Sequence, residues 1–218
     1  NPPPDDAARR LADLRVNYRA GALDEADLAP DPLGSFLGWF AEAEASGMPE
    51  PNAMVLSTVG ASNRPSNRVV LLKEITAEGI VFFTNYESRK GQEIANNPFV
   101  SAVFFWPELE RQVRVEGEVR QVSEADSDAY FYSRPRISQA GAVVSNQSSV
   151  IADRAVLDEK MAELMADEAI KIERPKHWGG YEIVVDGMEF WQGRPGRVHD
   201  RARYQKVDGA WVKSRLSP

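Results

Sequence analysis

Residues 112–122 read QVRVEGEVRQV, and this stretch decides the fold. Val113, Val115, Gly117 and Val119 alternate with Arg114, Glu116, Glu118 and Arg120. Successive side chains of a strand point to opposite faces, so the segment predicts one buried face and one wet face. Antiparallel sheets carry that asymmetry, whereas parallel sheets are covered on both sides. Working outward, residues 99–106 (FVSAVFFW) predict the strand that pairs with it. Upstream, residues 54–59, 68–75 (RVVLLKEI) and 79–84 (GIVFFT) predict three more strands, the last two joined by a tight turn at Ala77-Glu78-Gly79. Downstream, strands are expected at 181–185, 188–191, roughly 198–207, and 210–216. Asp208-Gly209 is a strong two-residue hairpin signal.

Helical patterns lie at the edges of this strand-rich series. Leu11, Leu14 and Tyr18 predict a short helix over residues 6–18, behind a flexible NPPPDD leader. Asp31-Pro32 is an N-cap followed by proline at the first helical position, with Leu33, Phe36, Leu37 and Phe40 as the apolar face and Gly47 as the stop. Residues 88–96 predict a short helix ended by Asn97-Pro98. Ser123-Glu-Ala-Asp126 resembles a capping box, opening a helix that ends before Pro135. Residues 137–149 are small and polar and read as a loop. Asp153 caps what is expected to be the longest helix, with Leu157, Met161, Leu164 and Met165 on one face. About eight strands with short turns predict a mainly β protein: an antiparallel β-barrel with peripheral helices, in a single domain over residues 1–218. Residues 1–20 are expected to be a flexible N-terminal segment.

Composition narrows the chemistry. The 218 residues contain no cysteine, which excludes disulfides, thiolate nucleophiles and cysteine-ligated metals. The two histidines, His177 and His199, have no HExxH spacing, so no metal site is expected. Net charge is −7, a poor footprint for nucleic acid. No apolar run is long enough to cross a bilayer and no export signal opens the sequence, so a cytoplasmic location without membrane attachment is expected. No GxGxxG follows a strand and no GxxxxGK[ST] is present; a phosphorylated cofactor would have to be held by side chains.

Three clusters offer such side chains. Arg68 and Lys73 bracket one strand, and Ser88-Arg89-Lys90 heads a helix whose free N–H groups suit a phosphate. Basic residues beside turns are common, and a mixed-charge surface is the plainer reading. Tyr130, Arg134 and Ser138 recur every fourth residue, interrupted by Pro135; hydroxyl, guanidinium and hydroxyl can satisfy several phosphate oxygens, or the arginine can simply offset a helix dipole. From Arg197 onward, strand alternation puts Arg197, His199 and Arg201 on one side, fitting either an anionic aromatic ligand or an exposed face balanced by Asp200. Ser145, Ser148 and Ser149 lack a GxSxG elbow, and no carboxylate pair is placed for acid–base hydrolysis.

Taken together, the stretches RVVLLK, FFTNYESRK, ERQVRVEG, YFYSRPRISQ, VSNQSS, WGGY, EFWQG, RVHDR and the closing RLSP resemble the pyridoxine/pyridoxamine 5'-phosphate oxidase family from roughly residue 11 to 218. The resemblance implies an FMN-binding split barrel and a homodimer with FMN at the subunit interface. It also implies a C-terminal dimerisation region over about 174–218. The FMN contacts it implies are Arg68, Val69, Leu71, Lys73, Phe83, Thr84, Arg89, Lys90, Gln112, Gln147, Ser148, Trp191 and Arg201. It implies substrate contacts at Lys73, Tyr130, Arg134 and Ser138 for the phosphate, Arg197 and His199 against the pyridine ring as the catalytic pair, and Arg15 to Tyr18 closing over the substrate. The implied reaction moves hydride from the substrate C4' carbon of pyridoxamine or pyridoxine 5'-phosphate to the flavin, giving pyridoxal 5'-phosphate, with oxygen reduced to hydrogen peroxide. Tyr132 stands where the family often has histidine, Val198 where it often has leucine, and Arg194-Pro195-Gly196 is an unusual turn. Two other readings are a related flavin oxidase of another aromatic acid, such as a phenazine precursor, and a flavin or pyridoxal phosphate carrier without turnover.

Overall fold

The computed structural model describes Leu14 and residues 17–218. Nine strands form one sheet, paired throughout as antiparallel neighbours. They are β1 (Ala53–Val59), β2 (Pro65–Leu71), β3 (Glu74–Ile75), β4 (Gly79–Asn85), β5 (Phe99–Trp106), β6 (Arg111–Gln121), β7 (Trp178–Gln192), β8 (Asp200–Val207) and β9 (Ala210–Arg215). The order is β2-β1-β5-β6-β7-β4-β3, with β8 and β9 continuing from β7 as a branch. The curled antiparallel sheet with helices at its edges is the expected split-barrel architecture.

The sequence expected residues 68–75 to be one strand. The chain instead changes partners: β2 pairs with β1, then Lys73 N–H donates to Val81 O and β3 pairs with β4. Residues 181–185 and 188–191 were expected to be separate strands, split by Asp186-Gly187. They belong to the single strand β7, and Asp186 is the extra residue of a bulge, because Gly117 pairs with Val185 while Glu116 pairs with Gly187. A Cβ at Gly117 would lie 2.1 Å from Val184 O, so this close approach requires glycine.

Helix α1 (Pro32–Ala45) covers the core end of the sheet, capped by the Asp31 carboxylate accepting from Gly34 N–H. Trp39 meets Phe190 edge-on at 5.1 Å and Phe36 lies 5.0 Å from Phe104. Phe36, Phe104 and Phe190 are fully buried, and truncating such a ring to alanine costs about 3–5 kcal/mol. α1, not the helix after Asp153, is the longest helix among the described residues. The expected helix over 6–18 lies almost wholly outside the described residues; Tyr18 itself is not helical.

Helices α2 (Arg89–Asn96), α3 (Glu124–Ser133), α4 (Arg136–Val144) and α5 (Ala155–Ala166) are the other α-helices among the described residues. α4 corrects the loop expected over 137–149. Pro135 ends α3 and also starts α4, its carbonyl accepting from Ser138 and Gln139 N–H. α4 buries only Ala140, against Phe131, Ile172 and Trp178, so its apolar signal is nearly invisible in the sequence. Arg136 closes the end of α5 by donating to the carbonyls of Leu164, Asp167 and Ile170.

Candidate active site

A cavity of about 800 Å³ opens between the edge strand β2, the end of β4, the head of α2 and the α3–α4 junction. Arg68, Lys73, Arg89, Lys90 and Arg134 all line it, with no Asp or Glu among the lining residues. Ser88 caps α2 by accepting from Gly91 N–H, which sets Arg89 and Lys90 on the first turn. Lys90 is buried, and its Nζ donates to Gln147 Oε1 at 2.8 Å, Thr84 Oγ1 at 3.0 Å and Ser88 Oγ at 3.4 Å. Burial, reinforced by the nearby Arg68 charge, pulls its pKa down to about 8. A buried ammonium with only neutral partners is suited to receive an anion.

Arg134 occupies the C-cap of α3 and stacks 4.6 Å from the Trp178 ring centroid. Its Nη1 is buried without a hydrogen-bond partner, and burial lowers its pKa. A helix-dipole role therefore leaves its donor unexplained, whereas an anion in the cavity satisfies it. Tyr130 is stacked 3.9 Å from Phe83 and parallel to Trp178, so three aromatic planes back this side of the cavity. Tyr130, Arg134 and Ser138 meet in the lining although Pro135 separates their helices. Trp178, Ser66 and Asn67 also line it and were missed by sequence reasoning; WGGY was noted only as a matching stretch.

Of the expected cofactor contacts, Arg68, Val69, Leu71, Lys73, Phe83, Thr84, Arg89, Lys90, Gln147 and Ser148 line this cavity. Gln112, Trp191 and Arg201 do not. They pair across β6, β7 and β8 on the outer face of the sheet, opposite the core face that carries Val113, Phe190 and Ala202. Arg201 is held there by Glu189, Nε to Oε1 at 2.8 Å.

His199 lies against Trp191, and neither it nor Arg197 lines the cavity. The expected strand alternation fails here, because Gly196 and Arg197 both adopt positive φ in a tight turn and β8 starts only at Asp200. His199 packs 4.6 Å from Trp191, and its Nδ1 accepts from Arg194 N–H. Burial and Arg197 lower the His199 pKa, with Asp200 opposing. Tyr18 meets both Trp191 and His199 edge-on, at 5.6 and 5.7 Å. The chain beyond it is anchored: Arg19 and Ala20 N–H both donate to Glu110 Oε2, and Leu23 N–H to Asp200. Arg15 lies outside the described residues.

Residues 40–165 match the family model described as pyridoxamine 5'-phosphate oxidase, and residues 178–218 match the pyridoxine 5'-phosphate oxidase C-terminal dimerisation region. The chain is 53% identical over 211 residues to the pyridoxine/pyridoxamine 5'-phosphate oxidase of Burkholderia vietnamiensis, covering 95% of this chain and 99% of that protein. This chain belongs to the pyridoxine/pyridoxamine 5'-phosphate oxidase family. The family member of Paraburkholderia phymatum is 54% identical over 209 residues, with 95% and 99% coverage. Among solved structures, PhzG from Burkholderia lata 383, in complex with tetrahydrophenazine-1-carboxylic acid, superposes with TM-score 0.86 at 30% identity, covering 90% of this chain and 98% of that one. A pyridoxamine 5'-phosphate oxidase-related, FMN binding protein from Nostoc punctiforme shares the fold, at TM-score 0.70 and 16% identity over 88% of this chain and all of that one. Among the described residues of this family member, no helix is long and apolar enough to cross a membrane.

Proposed function

We propose that this chain is an FMN-dependent oxidase. It converts pyridoxamine 5'-phosphate or pyridoxine 5'-phosphate to pyridoxal 5'-phosphate, with oxygen as acceptor and hydrogen peroxide as product. The observation that carries this reading is a cavity lined by five cationic side chains and no carboxylate, in a chain of net charge −7. Such a cavity fits phosphate groups, and its two donor sets fit two of them. Arg89, Lys90 and Ser148, with Arg68 behind them, suit the FMN phosphate. Lys73, Tyr130, Arg134 and Ser138 suit the substrate phosphate.

FMN, when bound, supplies the two-electron acceptor that no side chain of this protein can provide. The protein's own groups bind and orient. Arg134 and its neighbours fix one end of the substrate, while Arg197 and His199 lie against the pyridine ring and steer proton movement there. Because those two residues lie outside the cavity that holds the phosphate set, we infer a homodimer in which each site takes the phosphate set from one copy and Trp191, Arg197, His199 and Arg201 from the other. The exposed apolar side chain of Phe105, paired with Gln112 on the outer sheet face, supports burial of that face by a second copy.

A phenazine-type oxidase is the second reading, favoured by the likeness to PhzG. The donor set at Lys73, Tyr130, Arg134 and Ser138 favours a phosphorylated substrate over a carboxylic acid. The test is purified, FMN-loaded protein with pyridoxamine 5'-phosphate, assayed for pyridoxal 5'-phosphate and peroxide in equal amounts. Unphosphorylated pyridoxamine should be a far poorer substrate, and Arg134→Ala should remove most of that difference. Yellow protein that yields no peroxide with either phosphate would leave only a carrier.

A further inference from the structure

Behind the phosphate-suited face of the cavity lies a carboxylate that the proposed chemistry does not use. Glu93 sits on the second turn of α2 with its side chain 10% exposed. Its Oε2 accepts from Thr58 Oγ1 at 2.5 Å, Ser66 Oγ at 2.6 Å and Arg68 at 3.2 Å, and its Oε1 accepts from Arg89 Nε at 2.9 Å. Donors from β1, β2 and α2 thus converge on one buried group. Burial alone pushes the Glu93 pKa up, but the Ser66 and Thr58 hydroxyls and the two guanidiniums outweigh it and hold it down at about 2.

The four contacts leave the two arginines in different states. The terminal nitrogens of Arg68 donate to Leu56 O, Thr58, Ser66 and Glu93, so this guanidinium is locked. Arg89 is tied to Glu93 only through Nε, and its side chain is 65% exposed along the cavity lining. A guanidinium tethered at Nε keeps its two terminal nitrogens for a ligand, and it has already lost much of the rotamer freedom that phosphate binding would otherwise remove. We propose that Glu93 is a positioning residue for the flavin phosphate: it fixes Arg89 in a phosphate-ready orientation and Arg68 behind it. This rests on the reading of the cavity as an FMN site.

The competing role is a plain staple between α2 and the sheet. A third possibility is electrostatic only, in which the negative charge weakens phosphate binding. The three differ in what Glu93→Gln does to FMN compared with riboflavin, which lacks the phosphate. Positioning predicts that FMN binds roughly 10- to 100-fold more weakly, the size expected for a charge-assisted hydrogen bond, while riboflavin affinity stays as in wild type. It also predicts that Arg89→Ala and Glu93→Gln are non-additive toward FMN, since one acts through the other. Equal losses for FMN and riboflavin, additive effects, or tighter FMN binding by Glu93→Gln would each overturn the proposal. Glu93→Ala, measured in parallel with circular dichroism, separates loss of fold from loss of orientation. A wild-type chain that binds neither FMN nor inorganic phosphate would sink the flavin reading and this proposal with it. A wild-type chain that binds FMN, with a variant that binds it equally well, would sink the positioning role alone.

Discussion

At the residue scale, Lys90 makes the cavity sensitive to pH. Its ammonium is buried among Thr84, Ser88 and Gln147 with no carboxylate in contact, and its pKa falls to about 8. Below that value the side chain is charged and ready for an anion; above it the free protein holds a neutral amine. A bound phosphate favours the charged form and raises the pKa again, so binding above pH 8 takes up a proton. FMN affinity should therefore be flat from pH 6.5 to 7.5 and fall up to about tenfold per unit above pH 8. Titration calorimetry in two buffers of different ionisation heat measures the proton uptake directly, and a flat affinity to pH 9.5 with no uptake would contradict it. Lys90 was visible in the sequence because it follows a capping serine at a helix start. Its partner Gln147 is 57 residues away, and Glu93 reads in sequence as an ordinary helix acid until β1 and β2 close over it. Around Arg197 only the strand alternation fails, because alternation assumes extended backbone and two consecutive positive φ angles at Gly196 and Arg197 break it.

At the element scale, residues 18–23 and the end of β7 form one unit. A Cβ on Gly193 would sit 2.7 Å from Tyr18 Cγ and 2.8 Å from its Cβ, closer than real atoms approach. Gly193→Ala should push Tyr18 off Trp191 and His199 while leaving the cation-lined cavity untouched. Steady-state kinetics should then show a several-fold higher KM for pyridoxamine 5'-phosphate with unchanged FMN affinity. Tyr18→Ala in the Gly193→Ala background should add little, and a full additional effect would mean the two do not act together. This contact between residues far apart in sequence carries no local signal, whereas the elements themselves were largely legible. Alternation in β6 gave the sheet, Asp31-Pro32 gave the start of α1, and Asp208-Gly209 gave the last hairpin, where both residues take positive φ. The failures share one cause, which is that tertiary partners chose the structure. β2 stops where the chain changes neighbour, Asp186 is absorbed as a bulge, and α4 forms around a single buried alanine.

At the scale of the whole molecule, the division of the expected site between the cationic cavity and the Trp191 region is itself an argument about assembly. Gln112, Trp191 and Arg201 stand in register across β6, β7 and β8 on the outer face, while the cationic cavity opens beside edge strand β2. One chain alone therefore keeps the expected phosphate contacts and the Trp191–His199 cluster apart. Residues 178–218 match a dimerisation region, and they include Trp191, Arg197, His199 and Arg201. If a second copy completes each cavity, two inactive variants with lesions in different halves should rescue one another. Arg134→Ala removes the orphan donor in the cavity, and Arg197→Met removes a cation outside it; the latter should cut turnover far more than FMN binding. Refolded together in equal amounts, half the dimers are mixed, and each mixed dimer has one site with both lesions and one with none. Activity should recover to about a quarter of wild type, the statistical value for a two-fold assembly. Differently tagged copies allow the mixed dimer to be isolated, where one intact site in two is expected. Activity that stays at the sum of the two parents, with mixed dimers present, would mean that each chain builds its site alone and that the two faces serve different purposes.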